Sequence, residues 1–239
     1  MSNSSARSYG TRAVQMREAA ASALNLNAVL AKFLPMGASA ATAHPEGLSA
    51  GICASYRLAQ FDLPRLRRFQ THFEVTGVKY GLPPALLAAL ASRESRAGGT
   101  LDVNGLGGGG DCFGLMQLDS RYHPPRGGPY SGEHIDQAAR VLDRLLEEVK
   151  AKHLGWPPEQ QLRGAVVAYD AGVSHVRTIK DMDRGTTRDD YSNDVWARAL
   201  ALAPSFGGSV GAGICTGPTS GSFLSLRDRV AVPGGRDAS

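Results

Sequence analysis

Apolar residues recur at helical spacing through the middle of the chain, and no long alternating strand interrupts them. Leu63, Leu66, Phe69 and Phe73 fall along one helical face. Pro83 and Pro84 introduce a run that is apolar almost throughout, and proline is tolerated in a first helical turn. Ser131 is placed to cap another helix, with Glu133 in its first turn and a stripe of Ile135, Ala138, Leu142, Leu145 and Val149. Pro157, Pro158 and Glu159 open the next, which carries Leu162, Val166 and Tyr169 and stops at Gly172. Asp189 or Asp190 opens the last, with Tyr191, Val195 and Ala199. Between these helices the stretch from Phe113 to His123 predicts a small glycine-flanked hairpin. The expected fold class is mainly α (α+β), a helical domain with a small β-hairpin region.

Nearly all of this periodic signal lies in residues 37–203. Residues 1–36 read as an N-terminal extension, flexible or partly helical, and residues 204–239 as a Gly-rich C-terminal tail. No internal repeat is visible. At 239 residues, with 42% hydrophobic and 20% charged residues, the chain fits one globular domain with extensions or two small domains. The net charge of +4 favours an anionic partner. No aromatic-interleaved basic patch accompanies it, which argues against nucleic acid. No apolar run approaches the roughly 20 residues that span a bilayer.

The best N-terminal apolar stretch, Ala19 to Met36, is broken by Asn25, Asn27 and Lys32. A classical signal peptide is therefore not expected, leaving a cytoplasmic location or non-classical export. Cys53, Cys112 and Cys215 are odd in number and widely spaced, which predicts three incidental thiols rather than a disulfide framework. The six histidines show no ligand spacing, so neither a metal nor another cofactor is expected.

Candidate chemistry concentrates between residues 92 and 123. Glu94 stands at the end of the apolar run, where the helix dipole is negative. Burial and dipole would both keep its carboxyl protonated, the state required of an acid that protonates a leaving oxygen. An ion pair with Arg93 or Arg96 is the commoner fate of such a residue, and the residues alone favour it. Gly107 to Gly110 form a glycine run that either brings backbone close to a ligand or is a flexible loop. It lacks the Gly-Lys-Ser/Thr of a phosphate cradle. Asp111 and Asp119 offer second carboxylates of the kind glycoside hydrolysis needs, though each alone reads more readily as a turn or cap residue. His123, Tyr169 and Asp170 are further polar candidates, each with an ordinary surface or core reading beside it.

Several of these fragments together resemble the goose-type (g-type) lysozymes. The resemblance is carried by Ser92-Arg93-Glu94-Ser95-Arg96-Ala97-Gly98 and by Phe113-Gly114-Leu115-Met116-Gln117-Leu118-Asp119-Ser120-Arg121-Tyr122-His123. Glu159 to Gly164, Ala168-Tyr169-Asp170-Ala171-Gly172 and the stretch from Met182 to Asp194 continue it, with His44 to Ser49 upstream. It implies a lysozyme-like fold whose hairpin lies beside an active-site cleft. It also implies cleavage of the β-1,4 bond between N-acetylmuramic acid and N-acetylglucosamine in bacterial peptidoglycan, antibacterial in effect. Glu94 matches the family's acid and Asp119 one of two aspartates that position or activate water in an inverting reaction. His123, Tyr169, Asp170 and Tyr191 match positions that line the sugar site. The implied partners are peptidoglycan and a lysozyme-inhibitor protein, and the implied state is a monomer.

Three departures accompany the match. Gly108 stands where the family has its other aspartate, with Asp111 three residues on. Asp170 replaces the family's asparagine, exchanging a donor for a carboxylate that only accepts. The disulfides of the avian members are not expected here. A lytic transglycosylase, which needs an acid but no water-activating partner, and a non-catalytic glycan-binding module are the competing expectations.

Overall fold

The protein is described by a computed structural model covering residues 26–107, 109–208 and 215. Its helices are α1 (Ala40–Ala43), α2 (Ile52–Leu66), α3 (Gln70–Tyr80), α4 (Pro84–Ser95), α5 (Gly132–Lys152), α6 (Pro158–Ala171) and α7 (Tyr191–Leu202). The strands are β1 (Cys112–Phe113) and β2 (Leu118–Asp119), paired antiparallel with Cys112 opposite Asp119 and Phe113 opposite Leu118. The mainly helical class with one small hairpin is as the residue pattern predicts.

Helix α4 explains the architecture. Every residue from Ala85 to Ala91 is fully buried, as a helix apolar on all sides must be. It packs against α7, α3 and α2, while α5 pairs with α6 and leans on α3. The helix starts at Pro84 and ends where Arg96 and Ala97 take left-handed φ values of 53° and 54°. That abrupt exit leaves Glu94 in its last turn. On α5, the Ser131 hydroxyl caps the start by accepting from the His134 N–H at 3.2 Å, and the whole predicted stripe from Ile135 to Val149 is buried.

Packing extends past both expected domain boundaries. Leu30, in the 3-10 turn Ala28–Lys32, is fully buried, and its carbonyl accepts from the Trp196 indole N–H at 2.9 Å. Asn27 donates to the Phe206 carbonyl at 2.8 Å and accepts from the Ala85 N–H at 3.2 Å. Phe206 packs edge-on against Phe73. Residues 1–25 and most of the Gly-rich tail lie outside the described residues, as does Gly108.

The cysteine expectation is overturned. Cys53 and Cys215 form a disulfide across 162 residues of sequence, and Cys112 alone remains a free thiol. Cys53 sits in the first turn of α2, and the fold brings residue 215 back to it. A pairing set by tertiary return at that separation leaves no spacing signal in the chain.

Candidate active site

The two bases flanking Glu94 are both committed elsewhere, which removes the ion-pair reading. Arg93 bonds to Asp190 at 2.9 Å, Asp194 at 2.6 Å, the Thr187 carbonyl at 2.9 Å and the Thr42 hydroxyl at 3.2 Å. Arg96 pairs with Asp62 at 3.0 Å and with Glu46 at 2.6 Å. Among the described residues Glu94 has no ion pair, and its Oε1 accepts instead from the Tyr191 hydroxyl. Burial pushes its carboxyl up to about 7, helped by the charge of Asp170, against the opposing pull of the Tyr191 hydrogen bond and Arg93. A carboxylic acid in that state holds its proton near neutrality and can donate it.

The tyrosines close the site around this acid. Tyr191 is buried at the start of α7, and Tyr169 lies near the end of α6. Tyr169 donates to the Met116 carbonyl at 2.7 Å, which ties α6 to the turn of the hairpin. Burial and then the charge of Glu94 push both phenols well above their usual range, so each remains a donor. Asp170 accepts from the Thr187 N–H at 2.8 Å and hydroxyl at 2.6 Å. Its carboxylate thus ties the end of α6 to Thr187, the residue whose carbonyl accepts from Arg93.

Asp119 lies on β2 and Asp111 just before β1, and Arg121 spans the two. The guanidinium meets Asp119 at 2.6 and 3.0 Å and Asp111 at 3.2 Å. The Arg121 hydrogen bond holds the Asp119 carboxyl below the usual carboxylate range, so it is ionised where Glu94 is neutral. Asp111, Asp119 and Glu94 all bear on Cys112: burial first, then these charges, pushes its thiol up. His123 is half-buried, its backbone N–H donating to the Asp119 carbonyl at 2.8 Å. Burial and then the charge of Arg144 hold its imidazole below the usual histidine range.

The loop before the hairpin is anchored to β1 and to itself ahead of Gly108. Leu106 bridges to Phe113, the Gly107 N–H donates to the Cys112 carbonyl at 3.0 Å, and Asp102 accepts from the N–H groups of Asn104 and Leu106.

Residue-level reading missed His134. Its Nε2 accepts from the Met116 N–H at 3.0 Å, which holds the hairpin turn from beneath. Gly114 sits against the same ring at φ +75°, where an added Cβ would come within 2.5 Å of Nε2. The signal available was a histidine in the first turn of α5, on the same face as Ile135 and Ala138, which alone does not name its partner.

Glu94, whose carboxyl is pushed up, and Asp119, whose carboxyl is pushed down, both act on the Cys112 thiol between them in sequence, two carboxyls in different protonation states of the kind that acid–base chemistry uses. The family model described as "Lysozyme g" matches residues 29–202. "Lysozyme g" of Gallus gallus is 46% identical over 165 residues, covering 68% of this chain and 77% of that protein. "Lysozyme g" of Casuarius casuarius is 44% identical over 165 residues, covering 68% of this chain and 88% of that protein. "Lysozyme g" of Takifugu rubripes is 41% identical over 171 residues, covering 68% and 89%. The chain belongs to the lysozyme g family, and it is an enzyme, a glycoside hydrolase of the muramidase type.

Proposed function

We propose that the protein hydrolyses the β-1,4 bond between N-acetylmuramic acid and N-acetylglucosamine in bacterial peptidoglycan, with inversion at the anomeric carbon. Glu94 gives its proton to the glycosidic oxygen as the C–O bond breaks. Asp119 takes a proton from the water that attacks the opposite face of the sugar. Asp111 acts beside Asp119 through their shared arginine. His123 offers a ring to the glycan next to Asp119, while Tyr169, Asp170 and Tyr191 shape the wall around the acid. The observation that carries this reading is the Glu94 carboxyl in the last turn of the buried helix α4, bonded to the Tyr191 hydroxyl and, among the described residues, without an ion pair, an environment that pushes its carboxyl up.

The polymer lies outside the cytoplasm, and the Cys53–Cys215 disulfide favours an oxidising compartment as the place of action. A monomer that works alone on the polymer, open to capture by a lysozyme-inhibitor protein, accompanies this reading.

One observation favours a second reading. Both Asp119 oxygens are engaged by Arg121, and a lytic transglycosylase needs the acid but no water-activating base. Mass spectrometry of digested peptidoglycan separates the two, since hydrolysis leaves reducing muramic ends and transglycosylation leaves 1,6-anhydro ends. Glu94→Gln must lose either product. Equal slow clearing by wild type and Glu94→Gln would instead mean a glycan-binding protein without catalysis.

A further inference from the structure

Arg93 is held by four partners beside the Glu94 carboxyl. Its side chain is 7% exposed, its planar group lies 5.3 Å over the Tyr191 ring, and that same tyrosine donates to Glu94. A buried guanidinium one residue from a carboxyl, and stacked on that carboxyl's only hydrogen-bond donor among the described residues, is placed to claim it. It does not, because Asp190, Asp194, the Thr187 carbonyl and the Thr42 hydroxyl occupy it. Asp190 and Asp194 are themselves 4% and 0% exposed. Asp190 also accepts from the Ser39 N–H at 2.6 Å, and Asp194 from the Ser55 hydroxyl at 2.7 Å and from Arg198 at 2.9 Å. Each carboxylate is thus fixed by an element other than α4.

We propose that Asp190 and Asp194 are positioning residues for the reaction: they cage Arg93 away from Glu94 and so leave the proton donor without a counter-ion. The inference rests on Glu94 being the acid, as proposed above. The titratable groups that interact with Glu94 are Tyr191 from α7, through its hydrogen bond, and, through charge, Tyr169 and Asp170 from α6, Cys112 from β1 and Arg93 on its own helix. Of these only Arg93 is a cation. An opposite charge within about 4–6 Å commonly lowers a carboxyl by roughly 1–3 units. Caging is therefore what separates a donor from an ion-pair partner.

The sign is testable in both directions. Removing a cage carboxylate frees Arg93 to stabilise ionised Glu94, whereas removing Arg93 itself does the reverse. The experiment is a carbon-13 carboxyl titration of Glu94 by NMR, assigned with Glu94→Gln, alongside the pH dependence of lysis. Asp190→Asn should lower the Glu94 midpoint by roughly half to one unit and Arg93→Gln should raise it, on the scale of a neighbouring charge. The double variant should titrate with Arg93→Gln, because without the guanidinium Asp190 has nothing to hold away from Glu94, and a midpoint halfway back to wild type would mean that the two charges act on Glu94 independently. Should Asp190→Asn fail to fold, Asp194→Asn carries the same expectation, its amide facing Ser55 and its oxygen facing the arginines. Midpoints that stay put, or that move in the same direction in both single variants, overturn the cage. Midpoints that move as stated while lysis ignores them support the cage and sink Glu94 as the acid.

Discussion

The Tyr191 hydroxyl donates to the Glu94 carboxyl, joining the first residue of α7 to the last turn of α4 across 97 positions. A hydrogen bond donated to a carboxylate favours the ionised form, so this contact tempers the upward push of burial. Lysis should therefore persist up to about pH 7 and decline as pH rises through the point where Glu94 loses its proton. Tyr191→Phe should shift that decline upward by roughly one pH unit, the worth of a hydrogen bond to a charged group of about 1.5 kcal/mol. A pH–rate profile of the variant checks it. An unmoved decline would mean that the hydroxyl does not govern the acid.

Arg121 sets the opposite end of the profile. Its hydrogen bond keeps Asp119 ionised into acid, so activity is present above that point and lost as pH falls through it. Arg121→Gln should move the acid limb upward without moving the neutral one. Asp119→Asn should cost about 10²–10⁴-fold in rate, the range of general acid–base catalysis. Asp111→Asn removes only an exposed partner of Arg121, and exposed pairs contribute little, so it should cost no more than about threefold. Lysis rates of the three variants decide this. Equal losses in Asp111→Asn and Asp119→Asn would give Asp111 a direct share in activating water.

Local periodicity made most helices legible, although Leu63, Leu66, Phe69 and Phe73, expected along one helical face, are divided between α2, a 3-10 turn at Arg67–Phe69 and α3. Long-range pairing left the site only half legible. The α5 stripe and its Ser131 cap, the proline starts of α4 and α6, and the acidic entry to α7 are all set by neighbours within a few residues. Glu94 stood out for the same reason, as a carboxyl closing an apolar helix. What decides its chemistry is set elsewhere in the chain. Arg93 reaches Asp190 and Asp194, 97 and 101 positions away, and only those contacts turn an expected ion pair into a lone acid. Cys53 and Cys215, and Leu30 beneath Trp196, are likewise products of chain return. The four-residue α1 escaped notice because it is too short to show a period.

His134 makes the fold sensitive to acid. Burial holds its imidazole at about 4 rather than 6.5. Between those values the unfolded chain binds a proton that the folded chain refuses, so stability falls as pH drops from 6.5 toward 4 and levels off below. A shift of that size corresponds to roughly 3 kcal/mol. His134→Gln can still accept from the Met116 N–H through its amide oxygen and should lose much less stability over this window. Denaturant unfolding at pH 7 and pH 4.5 compares them, and identical losses would remove His134 as the source.

The Cys53–Cys215 disulfide joins the start of α2 to the C-terminal region. Closing so long a loop should stabilise the fold by about 2–4 kcal/mol. Cys215→Ser should melt lower than wild type, and reductant should lower wild type while leaving the variant unchanged. Equal melting temperatures under oxidising conditions would show that the bond contributes nothing.

The most direct test of the central claim is product analysis by mass spectrometry on purified peptidoglycan, with wild type, Glu94→Gln and Asp119→Asn side by side. Glu94 as donor and Asp119 as base predict reducing muramic ends from wild type and a loss of product in both variants. Anhydromuramic ends from wild type, or full activity in Glu94→Gln, would contradict the account.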